Sequence, residues 1–252
     1  MFDSQIPTAC IIIIGNEILS GQTQDTNITA IAKYLFNLGI ILKECRIIGD
    51  NEQDIITTVN DCRARYNYVF TTGGIGPTHD DITSRAISKA FNLPLESNAE
   101  AVKRIFSHIP QRGPDDARLR MADMPEGVIL IDNPVSHAPG FQIENVFVLP
   151  GVPTITQEML PGLTPRLQKG RPLLTKSLMC IAFESHIANE LSKIQDLHPT
   201  VEIGSYPTWH ISKERGVKIV FKGYDPAELQ SVESKIYEMS KKLGYDVEEI
   251  TL

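Results

Sequence analysis

The sequence predicts an α/β chain: a doubly wound, mostly parallel sheet with helices on both faces, followed by a smaller α+β unit. Three features carry that expectation. Residues 9–14 (ACIIII) are continuously apolar, the pattern of a central parallel strand covered on both faces. Strand-like and helix-like segments then alternate along the first half, an order whose right-handed crossovers place helices on both faces of one sheet. Gln168-Lys169-Gly170-Arg171-Pro172 breaks that pattern. Beyond it the order becomes strand, helix, strand, strand, helix, strand, which fits a ferredoxin-like domain. The expected organisation is a first domain over residues 1–170 and a second over residues 171–252.

Taken in order, the first strand is followed by the loop Gly15 to Gly21 and the polar run Gln22 to Asn27. Ile28, Ile31, Ala32, Leu35, Phe36 and Leu38 then mark an amphipathic helix ended by Gly39. Residues 40–48 read as a second strand, 54–66 as a helix and 67–72 as a third strand. Helices are expected near 82–92 and 97–109, with a polar loop over 110–118 and a short helix from Arg118 to Asp123. A strand at 128–132 precedes the loop Asn133 to Gly140. Residues 141–143 and 146–149 form a hairpin turning at Glu144-Asn145, and Pro150-Gly151-Val152-Pro153 leads into a helix through Met159 and Leu160. In the second domain, strands are expected at 174–183, 200–206, 216–222 and 245–250, with helices at 184–197 and 226–243. The last helix has the clearest limits: Asp225 caps it, Pro226 takes its first position, and Leu229, Val232, Ile236, Met239 and Leu243 form its buried stripe.

The formal net charge of −7 argues against a broad basic surface for nucleic acid. Arg112, Arg118 and Arg120 form one local basic cluster, for which a solvated helix face is the simpler account. Cys10, Cys45, Cys62 and Cys180 make no C-x-x-C pair, which suits reduced, mostly buried thiols and excludes a disulfide framework or a zinc site. No Lys or Arg precedes Lys33, and the apolar run 9–14 is too short for a signal segment or a membrane span. The expectation is a cytoplasmic protein with a small-molecule ligand and without nucleic-acid or membrane partners. The open sheet edge and the small domain are compatible with a homo-oligomer.

The most informative stretch is Thr71-Thr72-Gly73-Gly74-Ile75-Gly76-Pro77-Thr78-His79-Asp80-Asp81-Ile82-Thr83. It stands between a strand and a helix start. Such a turn offers bare backbone N–H groups and a helix N-terminus to an anion. Two aspartates beside a phosphate imply a divalent cation between them. No Gly-Lys-Ser/Thr follows, and the glycine spacing is not that of a dinucleotide fingerprint. The structural account of the same residues is a tight turn in which Thr78, Asp80 or Asp81 caps the helix. This turn and the Gly15–Gly21 loop both leave the carboxyl ends of strands, so they face one rim, where ligands of such sheets bind. His79 and His137 lie in these site loops. Trp209 is expected in a loop between two strands of the second domain.

With these residues placed, the chain resembles the molybdopterin-binding-like (MoCF biosynthesis) domain family, in the branch of the CinA N-terminal region. The matching stretches are IIGNEILSGQTQDTN (13–27), TTGGIGPTHDDIT (71–83), RMADMPEGVILIDNPVSHAPGF (120–141) and LPGVP (149–153). The resemblance implies chemistry that makes or breaks a phosphoanhydride next to an adenylate, with a divalent metal (Mg²⁺, Mn²⁺ or Co²⁺) on the phosphates. It implies Asp81 as metal ligand or catalytic carboxylate, Asp80 as its partner, and Glu17 and Asp25 completing the metal shell or placing a water. Gly73, Gly74 and Gly76 would cradle phosphate, with Thr78 and Thr83 as hydroxyl donors and Asn27, Asn133 and Gly140 at the rim. Capping is the alternative for Glu17 and Asp25, and turn chemistry for Asn133 and Ser136.

The first functional reading is a metal-dependent pyrophosphatase of ADP-ribose-type adenine dinucleotides. The second is a molybdopterin adenylyltransferase-like enzyme, and the third a non-enzymatic molybdopterin- or nucleotide-binding module. Where many relatives place a Gly-Thr pair, this chain reads Pro134-Val135-Ser136-His137 before Ala138-Pro139-Gly140, a departure that bears on which ligand is selected. The amidase domain that many CinA proteins carry has no counterpart before Leu252, so deamidation of nicotinamide mononucleotide is not expected.

Overall fold

The apolar run becomes β1 (Thr8–Ile14), whose residues Ala9 to Ile12 are fully buried. It is followed by α1 (Asn16–Leu19), α2 (Asn27–Asn37), β2 (Ile41–Ile48), α3 (Glu52–Arg65) and β3 (Tyr68–Thr72). These elements belong to a computed structural model that describes residues 6–107, 109–113, 115–209 and 215–250. β1 pairs in parallel with β2 on one side and with β3 on the other. The chain continues through α4 (Thr83–Ala90), β4 (Leu95–Ser97), α5 (Ala99–Ile105), a 3-10 helix (Ala117–Ala122), β5 (Asp123–Pro125), β6 (Ile129–Ile131), β7 (Gly140–Ile143), β8 (Val146–Leu149) and α6 (Pro153–Leu163). The sheet order is β2-β1-β3-β8-β7-β6. β8 runs parallel to β3, while β7 and β6 return antiparallel. The predicted doubly wound, mostly parallel sheet is therefore present.

Alternation along the strands sends side chains to two cores, one on each face. Cys10, Ile12, Val69 and Val148 pack with Ile55 and Val59 of α3 and Ile87 of α4. Ile11, Ile13, Phe70 and Phe147 pack with Ile31 and Leu35 of α2 and Met159 and Leu163 of α6. The stacked rings of Phe70 and Phe147, 5.1 Å apart, tie β3 to β8 beneath the rim that carries the glycine turn.

The second unit begins at Arg171. It contains β9 (Leu174–Cys180), α7 (Glu184–Leu197), β10 (Glu202–Trp209), β11 (Arg215–Gly223), α8 (Pro226–Leu243) and β12 (Val247–Glu249). The strand order β10-β11-β9-β12, antiparallel throughout, is the ferredoxin-like arrangement. Asp225 caps α8 by accepting the Ala227 N–H at 2.9 Å, and Gly244 ends it in the left-handed conformation at φ 78°.

Several local expectations change. Trp209 is the last residue of β10 and not a loop residue, because β10 and β11 pair as far as Trp209 and Arg215. The ribbon of β4 with β5 was not expected; strands of three residues leave no periodicity to read. Part of the Gly15–Gly21 loop is the single helical turn α1. His108 and His210 lie outside the described residues.

Candidate functional site

β1, β3 and β8 end at one rim, and the turn after β3 is built there. A Cβ on Gly73, at φ +102°, would overlap the Ile14 carbonyl oxygen of β1. A Cβ on Gly74, at φ +68°, would overlap the Thr83 hydroxyl. Both positions therefore require glycine, for conformation and for space. Thr83 closes the turn: its N–H donates to the Gly74 carbonyl at 2.9 Å, and its buried hydroxyl donates to the Gly73 carbonyl at 2.9 Å. Gly73 N–H donates to Leu149 O at 3.2 Å. The N–H groups of Gly74, Ile75 and Gly76 take no partner among the described residues. Successive free N–H groups in a glycine turn form an anion-binding concavity.

Asp81 folds back onto this turn. Its Oδ2 accepts the Thr78 N–H at 2.8 Å and the Thr78 hydroxyl at 2.6 Å. One carboxylate oxygen thus braces the loop, and neither bond engages the other. Asp80 next to it is exposed, and the Thr78 hydroxyl is the main influence holding its carboxyl below the ordinary aspartate value. His79 is exposed, with Nδ1 3.9 Å from Asp80 Oδ1.

The turn opens onto a cavity of about 570 Å³, within the range of small-molecule sites. Glu17, Gly73, Gly74, Gly76, Asp80, Asp81 and Asn133 all line it, so the structure brings these candidates together. Met121, Val152 and Ile155 add an apolar wall. Asn133 is fully engaged in the rim: Nδ2 donates to Ser136 Oγ at 2.7 Å and to Ala138 O at 2.8 Å, and Oδ1 accepts the Val135 and Ser136 N–H groups. It shapes the loop that carries Ser136. His137 completes that loop with φ 62°.

Other candidates act from behind the cavity wall. Asn27 Nδ2 donates to Gly151 O at 2.8 Å, fixing the end of β8, while its buried Oδ1 takes no partner. Thr78 lines a smaller neighbouring cavity. Gly140 starts β7 and packs against the Val148 carbonyl. Asp25 caps α2, its Oδ1 accepting the Ile28 N–H at 2.9 Å, and it does not line the cavity. Asp50 was not foreseen as a site residue. It follows β2 on the same rim, lines the cavity, and accepts the Asn16 N–H at 2.8 Å through Oδ2. The rule that placed the loops after β1 and β3 applies equally to the Gly49-Asp50 step after β2 and would have found it.

Although Glu17, Asp50, Asp80 and Asp81 border one cavity, no three His, Cys, Asp or Glu side chains converge as a metal cage among the described residues. The donor set fits a hard divalent cation held by one or two carboxylates and completed by water and ligand phosphates, as Mg²⁺ commonly is. It does not fit a metal held by protein alone. No helix among the described residues is long and apolar enough to cross a membrane.

The model of the family described as "Probable molybdopterin binding domain" matches residues 10–169, and that of "FAD synthase, middle domain" matches residues 172–247. A protein of Archaeoglobus fulgidus is 33% identical over 229 residues, covering 91% of this chain and 96% of its own length. A CinA-like protein of Syntrophotalea carbinolica is 34% identical over 166 residues, covering 63% of this chain; the match spans 40% of that longer protein. Among solved structures, the CinA protein of Thermoplasma acidophilum, itself of unknown function, superposes with a TM-score of 0.61 at 30% identity, over 65% of this chain and 99% of that one.

Proposed function

This chain belongs to the molybdopterin-binding (MoCF biosynthesis) domain family, in its CinA-like branch, and on that premise we propose that its first unit binds a phosphorylated pterin and a nucleotide at the Gly73–Asp81 turn and transfers an adenylyl group between them. The observation that carries this reading is the set of three unpartnered N–H groups, on Gly74, Ile75 and Gly76, in a turn that opens onto the cavity. Charge that develops on phosphate oxygens during transfer is stabilised by such preorganised donors.

In the proposed step an oxygen of the pterin phosphate attacks the α-phosphorus of ATP. The bond from that phosphorus to the bridging oxygen breaks, and pyrophosphate leaves. A divalent cation (Mg²⁺, Mn²⁺ or Co²⁺), when bound at Asp80 and Asp81, neutralises phosphate charge beside the turn. The chain's own residues do the rest. Thr78 holds Asp81 in place, Asn27 and Asn133 fix the cavity rim, and Met121, Val152 and Ile155 exclude water from one wall.

Hydrolysis of an ADP-ribose-type pyrophosphate uses the same turn with water as acceptor. That reading needs a base for the water, and Asp81 already accepts the Thr78 N–H and hydroxyl through one of its oxygens. The family description names molybdopterin, which also favours transfer. The test is ³¹P NMR of the protein with ATP, Mg²⁺ and anaerobically prepared molybdopterin. Transfer predicts pyrophosphate and a new diphosphate diester, both dependent on the pterin. Pterin-independent conversion of ADP-ribose to AMP and ribose phosphate, with ATP untouched, would overturn it in favour of hydrolysis.

A further inference from the structure

Two thiols meet at the base of the first sheet, at the opposite end of the strands from the glycine turn. Cys10 stands near the start of β1, beside Glu44 of β2 and Val69 of β3. Cys62 stands near the end of α3. Both are fully buried, and the Cys10 S–H donates to Cys62 Sγ at 3.3 Å. Charged side chains lie around them. Arg46 bonds Glu44 at 2.7 Å and also pairs with Asp61. The side chains of Arg46, Glu44 and Asp61 are 25%, 29% and 44% exposed, so the thiols sit one side-chain layer below solvent. The bond from Cys10 pulls the Cys62 thiol below its ordinary value, burial opposes that pull, and Arg46 adds to it. The same bond pushes Cys10 up. A thiolate is the reactive form of cysteine, and here it is favoured at one sulfur with a second thiol in contact. The other two cysteines differ. Cys180 is buried with Ser240 Oγ at 3.7 Å, and burial pushes its thiol up. Cys45 is exposed.

We propose that Cys10 and Cys62 form a redox-active dithiol, which a peroxide oxidises to an intrachain disulfide that clamps β1 to α3. The Cys62 sulfur attacks one peroxide oxygen, the O–O bond breaks, and the leaving hydroxide takes up the Cys62 proton as water. That leaves a sulfenic acid on Cys62. The Cys10 sulfur then attacks the Cys62 sulfur and the S–O bond breaks. The departing hydroxide takes the Cys10 proton as a second water. The two thiols are oxidised by two electrons in all, and the peroxide is reduced to water. The second step needs only a short side-chain shift, from 3.3 Å to a bonding distance of about 2.0 Å. Reduction by an external dithiol reverses it. The link closes a long loop and so restricts the unfolded chain. The proposal does not depend on the reading of the glycine turn.

The test treats the folded full chain with hydrogen peroxide, unfolds it in the presence of an alkylating reagent, and maps the cysteines by peptide mass spectrometry. The wild type is compared with Cys45→Ser, which removes the exposed thiol and with it the main route to links between chains. In both proteins the expected result is one linked peptide pair joining Cys10 to Cys62. It should appear before Cys180 is modified and be cleaved by dithiothreitol. The linked protein should melt roughly 5 to 10 °C above the reduced one, and peroxide should give no such gain in Cys62→Ser. Should that variant fold poorly, the peptide map of the wild type still decides. Cys10 and Cys62 that remain open to alkylation after peroxide treatment overturn the inference. So does a link that joins either of them to Cys45 or Cys180 instead, or oxidation of Cys62 past the sulfenic acid with Cys10 still free. A Cys10–Cys62 link that leaves the melting temperature unchanged or lower contradicts the clamp.

Discussion

Asp81 contributes to the site in two ways that different substitutions separate. One oxygen braces the turn through two bonds from Thr78, and the charge serves the phosphates. Asp81→Asn keeps an acceptor for Thr78 and removes the charge. It should melt within a few degrees of the wild type while adenylyl transfer falls roughly 100-fold or more, the scale of losing one preorganised electrostatic group; circular dichroism and ³¹P rates measure both. Gly73→Ala acts on folding instead. Its Cβ meets the Ile14 carbonyl at a positive φ, so urea unfolding should show a loss of about 2 kcal/mol or more. At this scale the sequence revealed the density of glycine and aspartate in 71–83, and with it the turn. It did not reveal how those groups divide their work. Capping by Asp25 and turn chemistry at Asn133 and Ser136 were named as alternatives and are what the hydrogen bonds show, whereas the bond from Thr78 to Asp81 depends on loop geometry that residue spacing does not encode.

Among the elements, those with long periodic patterns were legible. α8 was read at its observed limits because Asp225 and Pro226 mark its start chemically and the apolar stripe runs to Leu243. β4 and β5 were not, since their pairing links Leu95–Ser97 to Asp123–Pro125 across a long intervening segment. That hidden ribbon places Leu95 and Asp123 at a second cavity of about 320 Å³ beside the turn, so the missed element and the unforeseen cavity have one cause. Side chains of β2 and α3 are also joined by ion pairs that the sequence did not show. Glu44 accepts Arg46 Nε at 2.7 Å and the Tyr66 hydroxyl at 2.6 Å, and Arg46 also pairs with Asp61 of α3. These donors, Arg46 first, pull the Glu44 carboxyl down to about 2, while Glu44 pushes Tyr66 up to about 12. A carboxyl depressed by folding stabilises above its unfolded pKa, and that stability is lost as pH falls through the folded value. Glu44→Gln should therefore cost at most about 1 kcal/mol near neutrality, given solvent screening of the pair. The difference from wild type should shrink between the ordinary glutamate value and pH 2 in a series of urea titrations.

For the whole molecule, the break at 168–172 was legible because Gly170 and Pro172 interrupt both helix and strand patterns, and the βαββαβ order after it needs no knowledge of the first unit. The core clusters of residues up to Leu167 and those from Leu178 onward share no member. A fragment of residues 1–170 should accordingly fold alone and keep the pterin affinity of the full chain within about threefold; a fragment that aggregates or binds far more weakly would show that the second unit is needed. The central claim, that the turn after β3 holds phosphate, is tested most directly by amide NMR of the ¹⁵N-labelled chain titrated with neopterin monophosphate, mapped over every assigned N–H. The account predicts that the largest downfield shifts fall on Gly74, Ile75 and Gly76, and that those shifts shrink markedly when the neopterin lacks its phosphate. Equal shifts with and without the phosphate, or largest shifts away from this turn, would contradict it.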